Sequence, residues 1–152
     1  MKISEKRGCF SGGVWENGTG KVTDYVLDTH TCVYSLLNPG KLGKSARSAL
    51  EKVEYGKGTA WIPAAVVAEI VILRELGRIK IGLPELETAM ERAPCLRFLP
   101  LDLKQLEEFA VHVTIRDPFD RLILSATRAL GAKLITKDSR LRESGTVKTV
   151  WD

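Results

Sequence analysis

Apolar residues along this chain alternate between two rhythms. Short apolar runs rich in β-formers occur at Tyr25-Val26-Leu27, Thr59-Ala60-Trp61-Ile62, Leu96–Leu99, Lys133-Leu134-Ile135-Thr136 and Val147–Val150. Each is predicted to be a strand, and the first two read as strands buried on both faces. Helical segments lie between them. Thr29–Leu37 follows with Thr29 near the N-cap and ends at Asn38-Pro39-Gly40. Ser45–Val53 places Ala46, Ala49, Leu50 and Val53 on one face, and Gly56 and Gly58 then break the chain. Ala64–Leu76 takes Pro63 at its first position and stops at Gly77. Pro84–Arg92 sets Leu86 and Met90 four residues apart, and Leu103–Val111 is expected to turn Leu106 and Ala110 inward. Asp117-Pro118 opens a last long helix through Leu122, Ile123 and Ala126 to Leu130, with Gly131 as its stop. Strands separated by helices imply an α/β domain with a mainly parallel sheet. Ligands in such folds bind outside the carboxyl ends of the strands.

The chain has 152 residues and a mass of 16.8 kDa, which fits one domain able to bury a sizeable core. Residues 1–23 show no hydrophobic period. The first 20 hold five of the 13 glycines together with Lys2, Lys6 and Arg7. They read as a loose tail, an expression scar or an over-long start, in front of a domain spanning 24–152. Phe10 and Trp15 have no evident docking place. The cysteines Cys9, Cys32 and Cys95 are odd in number and form no CxxC pair, so neither a disulfide framework nor a zinc site is expected. Cys32 and Cys95 read as small buried residues. With no secretory signal and no apolar run of the ~18 residues a membrane span needs, the expected compartment is a reducing cytoplasm.

Five acids stand at chemically suggestive places. Asp28 directly follows the first strand, and Asp138 follows Thr136 by two residues. Asp120 lies in the first turn of the helix opened by Pro118, and Asp117 precedes that proline. Each also has a purely structural reading as a helix cap or as a charge favoured by the helix dipole. Glu69 differs, because Ala65, Val66, Ile72 and Leu73 are its neighbours three and four residues away. A carboxylate in an apolar stripe must be protonated, paired (Arg74 and Arg78 being the nearby cations) or metal-bound. Several carboxylates at one sheet edge would repel unless divalent cations neutralised them. Oxygen donors without a His/Cys cluster suit Mg²⁺ or Mn²⁺, and such a site can activate water against a phosphodiester.

Four segments in this order resemble the PIN-domain family, especially its VapC-type ribonuclease toxins. They are Tyr25-Val26-Leu27-Asp28-Thr29-His30, Val67-Ala68-Glu69-Ile70, Arg116-Asp117-Pro118-Phe119-Asp120-Arg121-Leu122-Ile123 and Leu134-Ile135-Thr136-Lys137-Asp138. Gly77-Arg78-Ile79 and the Val150-Trp151 ending are also similar to that group, so the likeness covers about Asp24 to Trp151. The resemblance implies a three-layer α/β/α fold and an acidic nuclease site dependent on Mg²⁺ or Mn²⁺. Asp28, Glu69, Asp120 and Asp138 match the family's four acids, and Asp117 becomes a cap or an outer acid. The Gly-rich tail departs from the pattern, since these toxins commonly begin close to the first strand.

On this reading the four acids bind metal, with Glu69 also orienting the attacking water. Thr29 and Asp117 support them, and Arg116, Arg121, Lys137 and Arg140 are candidate RNA-phosphate contacts. Arg142 near Asp138 is a further candidate. His30 is read as structural and His112 as a surface residue. The resemblance further implies an RNA substrate, a cognate antitoxin protein and a homodimer, with apolar faces around Leu42–Val53 or Val71–Ile81 available for the interface. The same residues leave open a solitary RNA-processing nuclease and an inactive RNA-binding PIN module. A haloacid-dehalogenase-type phosphatase would want an Asp where His30 stands. A receiver domain would want paired acids near the first strand, which Lys2-Ile3-Ser4-Glu5 does not supply. Composition sharpens under this reading. Lys and Arg number 23 against 19 acids, a net of +4, and setting the five site acids aside leaves 14 acids and a net of +9. An acidic pocket in a basic molecule is a form suited to metal-loaded work on RNA.

Overall fold

The computed structural model describes residues 22–152. Five parallel strands run β1 (Thr23–Leu27), β2 (Gly58–Pro63), β3 (Leu96–Leu99), β4 (Lys133–Ile135) and β5 (Thr149–Val150), in the spatial order β3-β2-β1-β4-β5. Seven helices flank them among the described residues: α1 (Thr29–Leu37), α2 (Lys44–Glu54), α3 (Ala64–Glu75), α4 (Leu83–Arg92), α5 (Leu103–Val111), α6 (Pro118–Leu130) and α7 (Ser139–Glu143), with a 3-10 turn at Pro39–Lys41. Tyr25, Val26 and Leu27 are consecutive yet all buried, as are Leu134 and Ile135. Helices therefore cover both faces of the sheet, which explains why these strands read as continuous apolar runs.

The chain lays β2 and β3 to one side of β1, then returns to place β4 on the other. Winding reverses between β1 and β4. The crevice outside the carboxyl ends of these two strands is where an α/β sheet of this kind holds a ligand, and Asp28 and Asp138 follow those two ends.

Most boundaries fall within a residue or two of the periodicity. The α/β reading with a mainly parallel sheet holds, and β1 begins one residue before Asp24. The expected tail lies outside the described residues except for Val22 and Thr23, and Phe10, Trp15 and Cys9 lie outside them too. Pro63 is not the first residue of α3 but the last of β2, with extended backbone at its cap. β4 and β5 are shorter than expected, because β5 is an edge strand meeting only Leu134 and Ile135. The expected burial of Leu106 and Ala110 is overturned. Both are exposed, and Gln105 is buried instead, its Nε2 donating to the carbonyl of Pro100 at 2.7 Å. A short helix with one packed face had no second surface for the remaining apolar positions, and Leu103 stays 72% exposed.

The apolar face of α2 is used up within the chain. Leu42, Ala46, Ala49, Leu50 and Val53 are all buried in the one core. This corrects the expectation that Leu42–Val53 supplies an interface. On α3 and beyond, Ile72 and Leu76 stay exposed while Ile81 is buried. The chain end fixes α2 in place: the amide of Ala46 donates to the carbonyl of Trp151 at 2.9 Å. A Cβ on Gly43 would lie 2.2 Å from that same oxygen, so only glycine permits the approach. Cys32 is fully buried and free, as expected. Cys95 is only partly buried, which corrects its reading as a small buried residue. No helix among the described residues is long and apolar enough to cross a membrane.

Candidate active site

The end of β1 is the most heavily constrained part of the crevice. Asp28, not Thr29, caps α1, because its extended backbone turns the carboxylate onto the first free amides of the helix. Its Oδ1 accepts from the amide of Thr31 at 2.8 Å. Its Oδ2 accepts from the hydroxyl of Thr136. That one hydroxyl also accepts from the amide of Asp138 at 3.0 Å, so Thr136 links the two acids across the switch point. Thr31 adds a second tie, its hydroxyl donating to the carbonyl of Ile135 at 2.8 Å. Asp28 is 5% exposed, and these partners give each of its oxygens a hydrogen bond while leaving its charge unpaired among the described residues.

Asp138 caps α7, accepting at Oδ1 from the amide of Arg140 at 2.8 Å, with the Arg140 guanidinium 3.8 Å away. Asp117 caps α6 by accepting from the amide of Asp120 at 3.0 Å. The capping readings of Asp28, Asp117 and Asp138 therefore hold as geometry. A cap engages chiefly one carboxylate oxygen, so it does not exclude a second use of the group.

Glu69 faces the crevice from α3 and accepts from the hydroxyl of Thr29. It is half-buried, less enclosed than its sequence neighbours suggest, because Ile72 remains exposed. Arg74 pairs instead with Glu85 at 3.5 Å. The Asp120 carboxyl is pushed up to about 6. Burial contributes most, then the negative charges of Asp117, Asp138 and Glu69, with Arg140 opposing them. Those four carboxyls thus share one electrostatic field. The threonines join Asp28 to the same crevice, through Thr29 to Glu69 and through Thr136 to Asp138. All the donors are oxygen, the chemistry that suits a hard divalent cation. Among the described residues, however, no three His, Cys, Asp or Glu side chains stand close enough together to enclose an ion as they are placed.

The cationic candidates separate. Arg140 is 84% exposed beside Asp138, and Arg116 is exposed. Arg121 is committed elsewhere: its Nε donates to the carbonyl of Phe109 at 2.8 Å and its guanidinium lies 4.0 Å from that ring, tying α6 to α5. Arg142 is within 3.5 Å of the Asp152 carboxylate. Lys137 donates to the hydroxyl of Tyr34 at 2.9 Å. His112, expected on the surface, is mostly enclosed and 3.2 Å from Glu108. Thr31 and Thr136 are site residues that sequence reasoning missed. The available signal was a threonine two or three residues from each strand-end acid, and threonine is common enough near strand ends and helix starts for other reasons.

Comparison with known proteins agrees with this geometry. The family model for the PIN domain matches residues 25–145. Ribonuclease VapC22 of Mycobacterium tuberculosis is 28% identical over 137 residues, covering 86% of this chain and all of that one. Two solved structures are similar in fold. VapBC2 from Rickettsia felis, bound to a DNA fragment from its promoter, superposes with a TM-score of 0.62 at 22% identity, covering 86% of this chain and all of that one. A toxin-antitoxin complex from Klebsiella pneumoniae gives 0.54 at 17% identity, with 81% and 94% covered. With four-fifths of its length matched by the family model, and acids gathered where its sheet reverses, the chain belongs to the PIN domain family.

Proposed function

We propose that this protein is a metal-dependent endoribonuclease of the VapC kind, the toxin partner of a toxin–antitoxin pair. The observation that carries the reading is the Asp120 carboxyl at the topological switch point, raised first by burial and then by the charges of three other carboxyls. Such crowding costs stability and has a use if a cation is to be bound. Asp28, Asp120 and Asp138 would hold Mg²⁺ or Mn²⁺, and Glu69 would complete the set or orient the attacking water. When bound, the ion supplies an activated water and stabilises the charge that develops on the phosphodiester. The chain's own contribution is positional. Thr136 fixes Asp28 relative to Asp138, and Thr29 fixes Glu69. Asp117 sets the first turn of α6, on which Asp120 rides. Because the carboxylates stand open, closing of their side chains would accompany binding.

Likeness to a ribonuclease and to a toxin-antitoxin complex supports an antitoxin partner and RNA as substrate. Arg116 and Arg140 are exposed and would meet RNA phosphates. A homodimer would draw on the exposed Ile72 and Leu76 of the α3 region. The open spacing of the acids supports one other reading, an RNA-binding PIN module without turnover. An RNase assay on purified protein with Mg²⁺, with and without EDTA, decides between them. Wild-type cleavage should vanish in EDTA and fall at least ~100-fold in Asp28→Asn and Asp120→Asn, the scale of losing a group that stabilises developing charge. Full activity in both variants would overturn the site. RNA binding without cleavage at any metal concentration would favour the inactive module.

A further inference from the structure

Beside the carboxylates, two lysines from distant parts of the chain meet at one aromatic ring. Tyr34 lies one turn beyond His30 on α1, with the ring centroids 6.0 Å apart. Lys137, from the loop between β4 and α7, donates to the Tyr34 hydroxyl at 2.9 Å, and its Nζ lies 5.1 Å from the ring centroid. Lys41, from the 3-10 turn after α1, places its Nζ 5.4 Å from the same centroid. His30, Lys41 and Lys137 are exposed, and Tyr34 is half-buried against the core. Neither lysine enters an ion pair with another described residue. Two ammonium groups gathered without a counter-charge are prepared for an anion, and the exposed His30 ring and the half-buried Tyr34 ring beside them offer surfaces to a base.

The cluster's position specifies the ligand further. Lys137 stands between Thr136, which holds Asp28, and Asp138. Tyr34 is five residues along α1 from Thr29, a rise of about 7.5 Å. We propose that His30, Tyr34, Lys41 and Lys137 form the docking site for the nucleotide flanking the cleaved bond of a single RNA strand. This rests on the ribonuclease reading. The ammonium groups hold its phosphate, and the two rings receive its base. Lys137, held by the Tyr34 hydroxyl, is pre-positioned between the docked phosphate and the carboxylates. Stacking of this kind tolerates any base, so the site adds affinity and register without dictating sequence.

The test separates binding from cleavage. A fluorescent single-stranded RNA oligonucleotide is titrated with the full chain in EDTA at several salt concentrations, and turnover is measured separately with Mg²⁺. Lys41→Ala and Lys137→Ala should each weaken binding several-fold at low salt. Each should also flatten the plot of log affinity against log salt by about 0.7, and the double variant by about twice that. Tyr34→Ala should weaken binding about tenfold, while Tyr34→Phe keeps most of the affinity. A double lysine variant that melts like wild type yet keeps its affinity and salt slope overturns the docking site, even if the protein cleaves RNA. A wild type with no measurable RNA affinity overturns it too. Loss of binding with the expected slopes, in a protein that never cleaves, supports the docking site and rejects the nuclease.

Discussion

Replacing Asp120 by asparagine should make the metal-free protein more stable, although the proposed mechanism has the same change lower RNA cleavage. The Asp120 carboxyl titrates at about 6 when folded, against an ordinary value of 3.8. The folded chain therefore holds this proton up to a higher pH than the unfolded chain does. Stability falls as pH rises from about 4 to 6, and the deficit is complete above that window. Unscreened, the displacement corresponds to about 3 kcal/mol. The group is half-buried, so water and salt reduce this to about 1.5 kcal/mol. The N-terminal dipole of α6 favours the charge by ~0.5 kcal/mol and is lost in the variant. The net gain is about 1 kcal/mol, which in a domain of this size raises Tm by ~2–4 °C. Asp120 has no side-chain hydrogen bond among the described residues, so asparagine forfeits none. Thermal melts in EDTA at pH 7.5 and pH 4.5 measure the effect, with the gain present at the higher pH and mostly gone at the lower. Adding Mg²⁺ should raise the wild-type Tm more than that of the variant. An Asp120→Asn protein that melts at or below wild type in EDTA at pH 7.5 would refute the reasoning that burial and neighbouring carboxylates disfavour the charged form.

The remaining predictions concern the framework. Thr136→Val leaves the buried Asp28 oxygen and the Asp138 amide without their shared hydroxyl, and should cost ~1–3 kcal/mol in urea denaturation, with Thr136→Ser recovering most of it. Gly43→Ala drives a methyl group into the Trp151 carbonyl and should lower the unfolding free energy measured in urea by ~1–3 kcal/mol. Leu124→Ala, at a fully buried position, should cost ~2–5 kcal/mol, whereas Leu103→Ala at an exposed one should stay within ~0.5 kcal/mol. Equal losses at these two leucines in the same denaturation experiment would contradict the placement of α5.

The elements of this protein were legible from local rules. Runs such as Tyr25-Val26-Leu27 must be strands covered on both sides, and Gly131, observed at φ 67°, ends α6 where the periodicity stops. The acids were legible too, because a carboxylate directly after an apolar strand, or inside an apolar helix, is costly enough to need a reason. Local rules could not assign partners. The sequence around Glu69 pointed to a charge that must be protonated, paired or metal-bound, with Arg74 and Arg78 as the nearby cations. In the fold a threonine 40 residues away serves it, and Arg74 turns to Glu85. Leu106 and Ala110 follow an inward pattern, yet whether such a pattern is buried depends on whether another element arrives to cover it. Arg121 sits beside the acid motif in sequence but spends its guanidinium on Phe109.

By itself, then, the sequence determined the alternation of strands and helices, their ends, and the acids that demand explanation, because these follow from spacing and from burial costs within a few residues. Only the tertiary structure decided that β4 returns beside β1, since the strand order arises from which faces the crossing helices can cover. That return sets Thr136 against both Asp28 and Asp138, and it brings Lys137 to Tyr34 across 103 residues of chain. Hydrogen bonds and charges act through a few ångströms of space whatever the separation along the chain, so the site and its neighbourhood became readable only once the sheet was assembled.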